Sequence, residues 1–148
     1  MLDLSPSLMA ELAELNAIRQ AEKSARCDEL ETRFNHRFAA DRHLAVYGSL
    51  APGRSSHAQL SALSGTWSSG CYVTGDLLDQ GWGAGIGYPA LRWCSSGQAI
   101  PVQLFVSDEL PSHWSRLDAF EGAEYLRILV PVLAHGQVIA LANAYAAR

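Results

Sequence analysis

Leu44-Ala45-Val46-Tyr47-Gly48-Ser49-Leu50-Ala51-Pro52-Gly53 is where the chain changes texture. The first four residues are apolar and read as a short buried strand. Two glycines and a proline then break the strand ahead of a helical stretch. Glycine lets a ligand approach the backbone closely. Successive free N–H groups in such a turn form a concave anion site, to which the Ser49 hydroxyl can add a donor. An ordinary strand-to-helix turn has the same composition, so this segment alone leaves its use open.

Downstream, glycines are frequent and β-branched and aromatic residues come in short runs. Strands are expected over residues 71–78, 90–93 and 100–106. A short helix is expected over 55–63, begun by Ser55 or Ser56 and stopped by Gly65. Residues 81–87 form a glycine-rich loop. A second helix over 111–120 ends at Gly122, and 126–134 with 137–145 make a terminal hairpin turning at His135-Gly136.

Upstream the texture is helical, with neither Gly nor Pro between Ser7 and Tyr47. Ser5-Pro6 reads as an N-cap followed by proline at the first helical position. Leu8, Leu12, Leu15 and Ile18 make an apolar stripe, and Leu30, Phe34 and Phe38 repeat it. One helix over residues 6–40 would be about 50 Å long. That length favours two packed helices joined near Arg26-Cys27-Asp28. The stripe must be buried against the protein's own core, a second copy of the chain, or another protein.

Composition narrows the function classes. Of 148 residues, 49% are hydrophobic and 18% charged, which suits one compact domain and argues against disorder. The net charge is −4 and no basic stripe occurs, so nucleic acid is not expected as a partner. No apolar run approaches the roughly 20 residues of a membrane span, and no signal or transit pattern precedes Glu11 and Glu14. A cytoplasmic location is therefore expected. Cys27, Cys71 and Cys94 show no C-x-x-C pairing and read as free thiols. His36, His43, His57, His113 and His135 are scattered, so no metal site is expected. The glycines of 81–87 fail the dinucleotide spacing, and no P-loop or nucleophile elbow occurs.

Leu117-Asp118-Ala119-Phe120-Glu121-Gly122, continuing to Tyr125-Leu126-Arg127, carries the chemistry. Leu117 and Phe120 share one face of a helix, and Asp118 and Glu121 share a neighbouring one. Gly122 suits the position just past a helix end. Glu121 would then sit at the carbonyl end of the macrodipole, beside a second carboxylate. That placement and partial burial raise its pKa and suit it to act as a base. A solvated glutamate at a helix end is the commoner case for an isolated residue of this type.

Together these segments resemble the γ-glutamyl cyclotransferase family, with its AIG2-like and γ-glutamylamine-cleaving relatives. The resemblance rests on Tyr47-Gly48-Ser49 at a strand end, on Gly87-Tyr88-Pro89, and on Leu117 to Gly122 followed by Tyr125-x-Arg127. It covers the chain from about His43 to the C-terminus. It implies an α+β fold: a small mixed β-barrel with short helices packed outside, preceded by an N-terminal helical segment. The chain would divide into a helical extension over 1–42 and the family domain over 43–148.

The resemblance also implies roles. Glu121 matches the catalytic glutamate. Gly48, Ser49 and Leu50 would offer N–H groups to a glutamyl α-carboxylate, and Tyr47 and Tyr125 would complete the substrate-binding set. The reaction would cyclise a γ-glutamyl amide to 5-oxoproline and release an amine or amino acid, with no cofactor. Apart from the resemblance, Trp82 and Tyr88 near the glycine loop suit either the leaving-group side or the core. Two departures stand out. Val102-Gln103 replaces a frequent Gly-Glu and would narrow or redirect the cavity wall, and Ala51 replaces a frequent arginine. Two other readings use the same residues: a non-catalytic module that binds a small anion, and a scaffold for protein association through the N-terminal helices. A homodimer through those helices is a further expectation.

Overall fold

A computed structural model describes residues 2–21, 24–79 and 88–148. Two helices open the chain, α1 (Pro6–Ile18) and α2 (Ala25–Phe38). Ser5 caps α1, its hydroxyl accepting from the Leu8 N–H at 3.2 Å. The break between the helices falls earlier than Arg26-Cys27-Asp28. Ser24 is the N-cap of α2, accepting from the Cys27 N–H at 3.2 Å, so those three residues lie in its first turn. A capped serine outweighs the weak apolar face around Cys27, and Asp28 suits the positive end of the dipole. Ala39, in the left-handed region at φ 53°, closes α2 before a 3-10 turn, Ala40–Arg42.

Among the described residues six strands follow: β1 (His43–Val46), β2 (Thr66–Leu78), β3 (Ala90–Trp93), β4 (Gln98–Val106), β5 (Tyr125–Ala134) and β6 (Gln137–Ala147). Pairings β1–β4, β4–β2, β2–β5, β5–β6 and β6–β1 close a five-stranded ring, and β3 pairs with β2 and β6. The β1–β6 and β3–β6 pairs are parallel and the rest antiparallel. The barrel is therefore mixed, and the chain is α+β.

Alternation along β6 shows how the barrel is filled. Ala140, Ala142, Ala144 and Ala146 join Val73, Val102 and Val130 in one buried cluster. Small side chains suit the tight interior of a small barrel. The intervening Leu141, Asn143 and Tyr145 serve the outer layer, where the helices pack. Leu8, Leu12, Leu15, Leu30 and Phe34 bury against Leu129 and Leu141 of the same chain. Each such side chain contributes about 1.5–3 kcal/mol. Asn16 adds a polar clamp: its amide donates to the Leu129 carbonyl and accepts from the Leu129 N–H, both at 2.8 Å. The Asn side chain thus stands in for a neighbouring strand along β5.

Other elements shift from expectation. β2 begins at Thr66 rather than 71, because Thr66 and Trp67 pair with Val106 and Phe105 ahead of a bulge between Ser68 and Cys71. The expected helix over 55–63 shortens to α3 (Ala58–Ser61), with no side-chain cap. Ser56 instead donates its N–H to the Ser49 carbonyl at 2.8 Å and closes the preceding loop. Pro111 belongs to a separate 3-10 turn (Leu110–Ser112) ahead of α4 (Trp114–Glu121). The hairpin turns at His135 and Gly136, at φ 53° and 76°, the two positive values a tight two-residue turn requires. Among the described residues no helix is long and apolar enough to cross a membrane. The glycine loop and Trp82 lie outside the described residues.

Candidate active site

One cavity, of about 40 Å³, opens where β1 runs out of the barrel and α4 ends. Tyr47, Gly48, Ser49, Leu50, Glu121 and Tyr125 all line it. Tyr88, Pro89 and Tyr145 complete the wall beside residues 44–46. Residues drawn from two segments distant in the sequence thus meet in one place.

The loop after β1 is held by its own carbonyls. The Gly48 carbonyl accepts from the Ala51 N–H at 3.2 Å, and the Leu50 carbonyl faces the His57 Nδ1 at 2.9 Å. Among the described residues, the N–H groups of Gly48, Ser49 and Leu50 meet no protein acceptor. An added Cβ at Gly48 would meet no atom within 4 Å. Neither packing nor a left-handed φ therefore requires glycine there; what remains is space beside the cavity.

Glu121 is the last residue of α4 and is 6% exposed. Burial, and secondarily the charge of Asp118, lift its carboxyl to about 7. Removing the ion from water costs more than the neighbouring charge does. Gly122 then turns the chain at φ 81° and ψ −172°, a region essentially restricted to glycine. That turn leads into β5, so Tyr125 returns to the cavity that Glu121 lines.

Among the described residues the Asp118 carboxylate bonds to side chains rather than to backbone. It accepts from the Tyr145 hydroxyl at 2.6 Å and from Arg127 Nε at 2.9 Å. The Arg127 guanidinium also lies over the Trp114 ring at 4.5 Å. Tyr47 is a strut: its hydroxyl donates to the Tyr145 carbonyl at 2.5 Å and accepts from the Leu91 N–H at 2.8 Å. Burial pushes the Tyr47 and Tyr145 phenols well up, so both remain neutral.

Val102 does not narrow the cavity. It packs inside the barrel, and Ala51 is buried with Leu50 and Leu60. Tyr145 is a lining residue that the sequence reading overlooked. Its signal was a polar-tipped aromatic two residues after Asn143 in an otherwise apolar strand. Among the described residues no group of three or more His, Cys, Asp or Glu is placed to hold a metal ion.

A family model described as gamma-glutamyl cyclotransferase, AIG2-like, matches residues 44–148. No curated protein matches the sequence. The Bacillus subtilis protein YkqA is similar in structure, with a TM-score of 0.54 and 22% identity over 72% of this chain and 36% of that one. An AIG2-like protein from Mus musculus aligns with a TM-score of 0.52 and 23% identity, over 71% of this chain and 76% of its own. At this identity the likenesses carry the fold. The chain spans little more than a third of the length of the B. subtilis protein.

Proposed function

The chain belongs to the AIG2-like gamma-glutamyl cyclotransferase family, and from that premise we propose that it cyclises a γ-glutamyl amide to 5-oxoproline with Glu121 as proton carrier. The observation that carries this reading is a buried carboxyl, lifted to about 7, in the same cavity as three backbone donors that meet no acceptor among the described residues. A carboxyl near neutrality can both take and return a proton at physiological pH.

The donors of Gly48, Ser49 and Leu50 suit the α-carboxylate of the glutamyl group. Holding that end fixed lets the chain fold so that the α-nitrogen faces its own γ-carbonyl. Such near-attack placement can supply several kcal/mol, roughly 7 or more in the best cases. The ammonium gives one proton to Glu121, and the freed amine attacks the γ-carbon. A bond forms between that carbon and the α-nitrogen, and the bond to the leaving nitrogen breaks. The attacking nitrogen loses two protons in all. The departing amine gains both, by way of Glu121. In this reading the glutamyl head lies beside Gly48, Ser49, Leu50 and Glu121, and the amine portion lies towards Tyr88.

The test is 5-oxoproline release from a panel of γ-glutamyl amino acids and γ-glutamylamines. The reading expects turnover of at least one class, with kcat/KM rising through about pH 7 as Glu121 ionises. Folded protein that releases 5-oxoproline from neither class contradicts it.

A further inference from the structure

Residues 1–42 lie outside the family match, yet α1 reaches the catalytic end of the barrel. Arg19, just past α1, is 9% exposed at its side chain. Its Nε and Nη2 bind the two Glu31 oxygens of α2, at 2.5 and 3.0 Å. Its Nη1 donates to Asn143 Oδ1 at 2.9 Å and to the Arg127 carbonyl at 3.3 Å. Asn143, 1% exposed on β6, anchors its amide on the Ala40 carbonyl at 2.8 Å. Its oxygen also accepts from Arg127 Nη1 at 2.9 Å. Two arginines, one from each part of the chain, thus share a single buried oxygen. Arg127 then grips Asp118, three residues before Glu121 on α4.

We propose that Arg19 is a positioning residue for the Glu121 site, acting through Asn143, Arg127 and Asp118. The proposal rests on the reading of Glu121 as proton carrier. Polar groups joined in series, here anchored on the buried Asn143, hold one another in a single arrangement, and losing one member disturbs the rest. Without Arg19, Glu31 loses its bidentate partner. Glu31, Arg127 and Asp118 line one cavity of about 240 Å³. An orphaned Glu31 there competes with Asp118 for the Arg127 guanidinium. Asp118 would then carry its charge less compensated beside Glu121. Among the described residues, the other titratable groups lining the Glu121 cavity are the phenols of Tyr47, Tyr88, Tyr125 and Tyr145.

The experiment compares Arg19→Ala and Arg19→Lys with the wild type. Lysine keeps the charge for Glu31 but lacks the fork that reaches Asn143 as well, and it keeps a folded variant available if alanine does not fold. Arg33→Ala is the control. It breaks the Arg33–Glu11 pair between the same two helices, at 3.0 Å, away from the network. Two readouts are taken: 5-oxoproline release, and the midpoint of the Glu121 carboxyl band by infrared difference against each protein's own Glu121→Gln counterpart.

Arg19→Ala is expected to lower kcat about 3- to 30-fold with little change in KM. It should also raise the Glu121 midpoint, with Arg19→Lys intermediate and Arg33→Ala like the wild type. A midpoint unmoved in both Arg19 variants overturns the proposal, whatever happens to Tm. If the wild type turns over no γ-glutamyl donor, the functional reading fails, while the carboxyl midpoint still decides the role of Arg19.

Discussion

Glu121 concentrates the cost and the use of this fold in one side chain. Its ordinary value of 4.5 rises to about 7 on folding. Between those limits the folded protein keeps a proton that the unfolded chain releases. Stability from this group is therefore full below about pH 4.5 and is lost as pH rises through about 7. The loss approaches about 3 kcal/mol. Urea denaturation across pH should show the wild type falling relative to Glu121→Gln between pH 5 and 8. A constant gap between the two proteins would contradict the burial argument. Sequence placed Glu121 at a helix end beside Asp118, and both were legible. Partial burial was expected too, but its dominance over the Asp118 charge depends on the cavity Glu121 shares with Tyr125 and the loop after β1, which spacing does not carry. Tyr145 escaped for the same reason.

At the scale of elements, the turn from α4 to β5 aims the site. Gly122 is at φ 81° and ψ −172°, with open space around its missing Cβ. The penalty for a side chain there is conformational rather than a clash. Gly122→Ala should cost about 1–3 kcal/mol of stability. It should also lower kcat, because relieving the strain rotates the end of α4. Thermal denaturation together with steady-state kinetics checks both; an alanine variant with wild-type Tm and kcat would show that the turn does not place Glu121. The glycine was legible as a helix stop, as was the His135-Gly136 turn, since both need only local chemistry. The break before α2 falls earlier than expected, because the Ser24 side chain caps the helix ahead of Arg26-Cys27-Asp28. The early start of β2 was illegible, since pairing with β4 overrides the weak strand signal of Ser68, Ser69 and Gly70.

At the scale of the whole molecule, the N-terminal helices complete the barrel. Their apolar stripe is buried on Leu129 and Leu141 of the same chain, and Asn16 occupies the outer edge of β5. Removing residues 1–40 uncovers those leucines and leaves the Leu129 backbone groups to water. Equilibrium unfolding should show a loss of roughly 3–6 kcal/mol, from two large apolar side chains and a lost polar clamp. Unchanged stability would mean that the helices merely rest on the barrel. The stripe announced burial in the sequence, but its partner was open between this chain, a second copy and another protein. Periodicity names a buried face without naming what buries it. The motifs that pointed to the barrel did so as a resemblance; alternation alone would have supported strands without their closure.

The central claim is that Glu121 moves the proton in γ-glutamyl cyclisation, and the most direct measurement is 5-oxoproline release by folded Glu121→Gln beside the wild type. The amide keeps the size of the side chain and cannot accept the proton, so the account predicts turnover reduced by about 100-fold or more. A folded Glu121→Gln protein that cyclises a γ-glutamyl donor at the wild-type rate would contradict it.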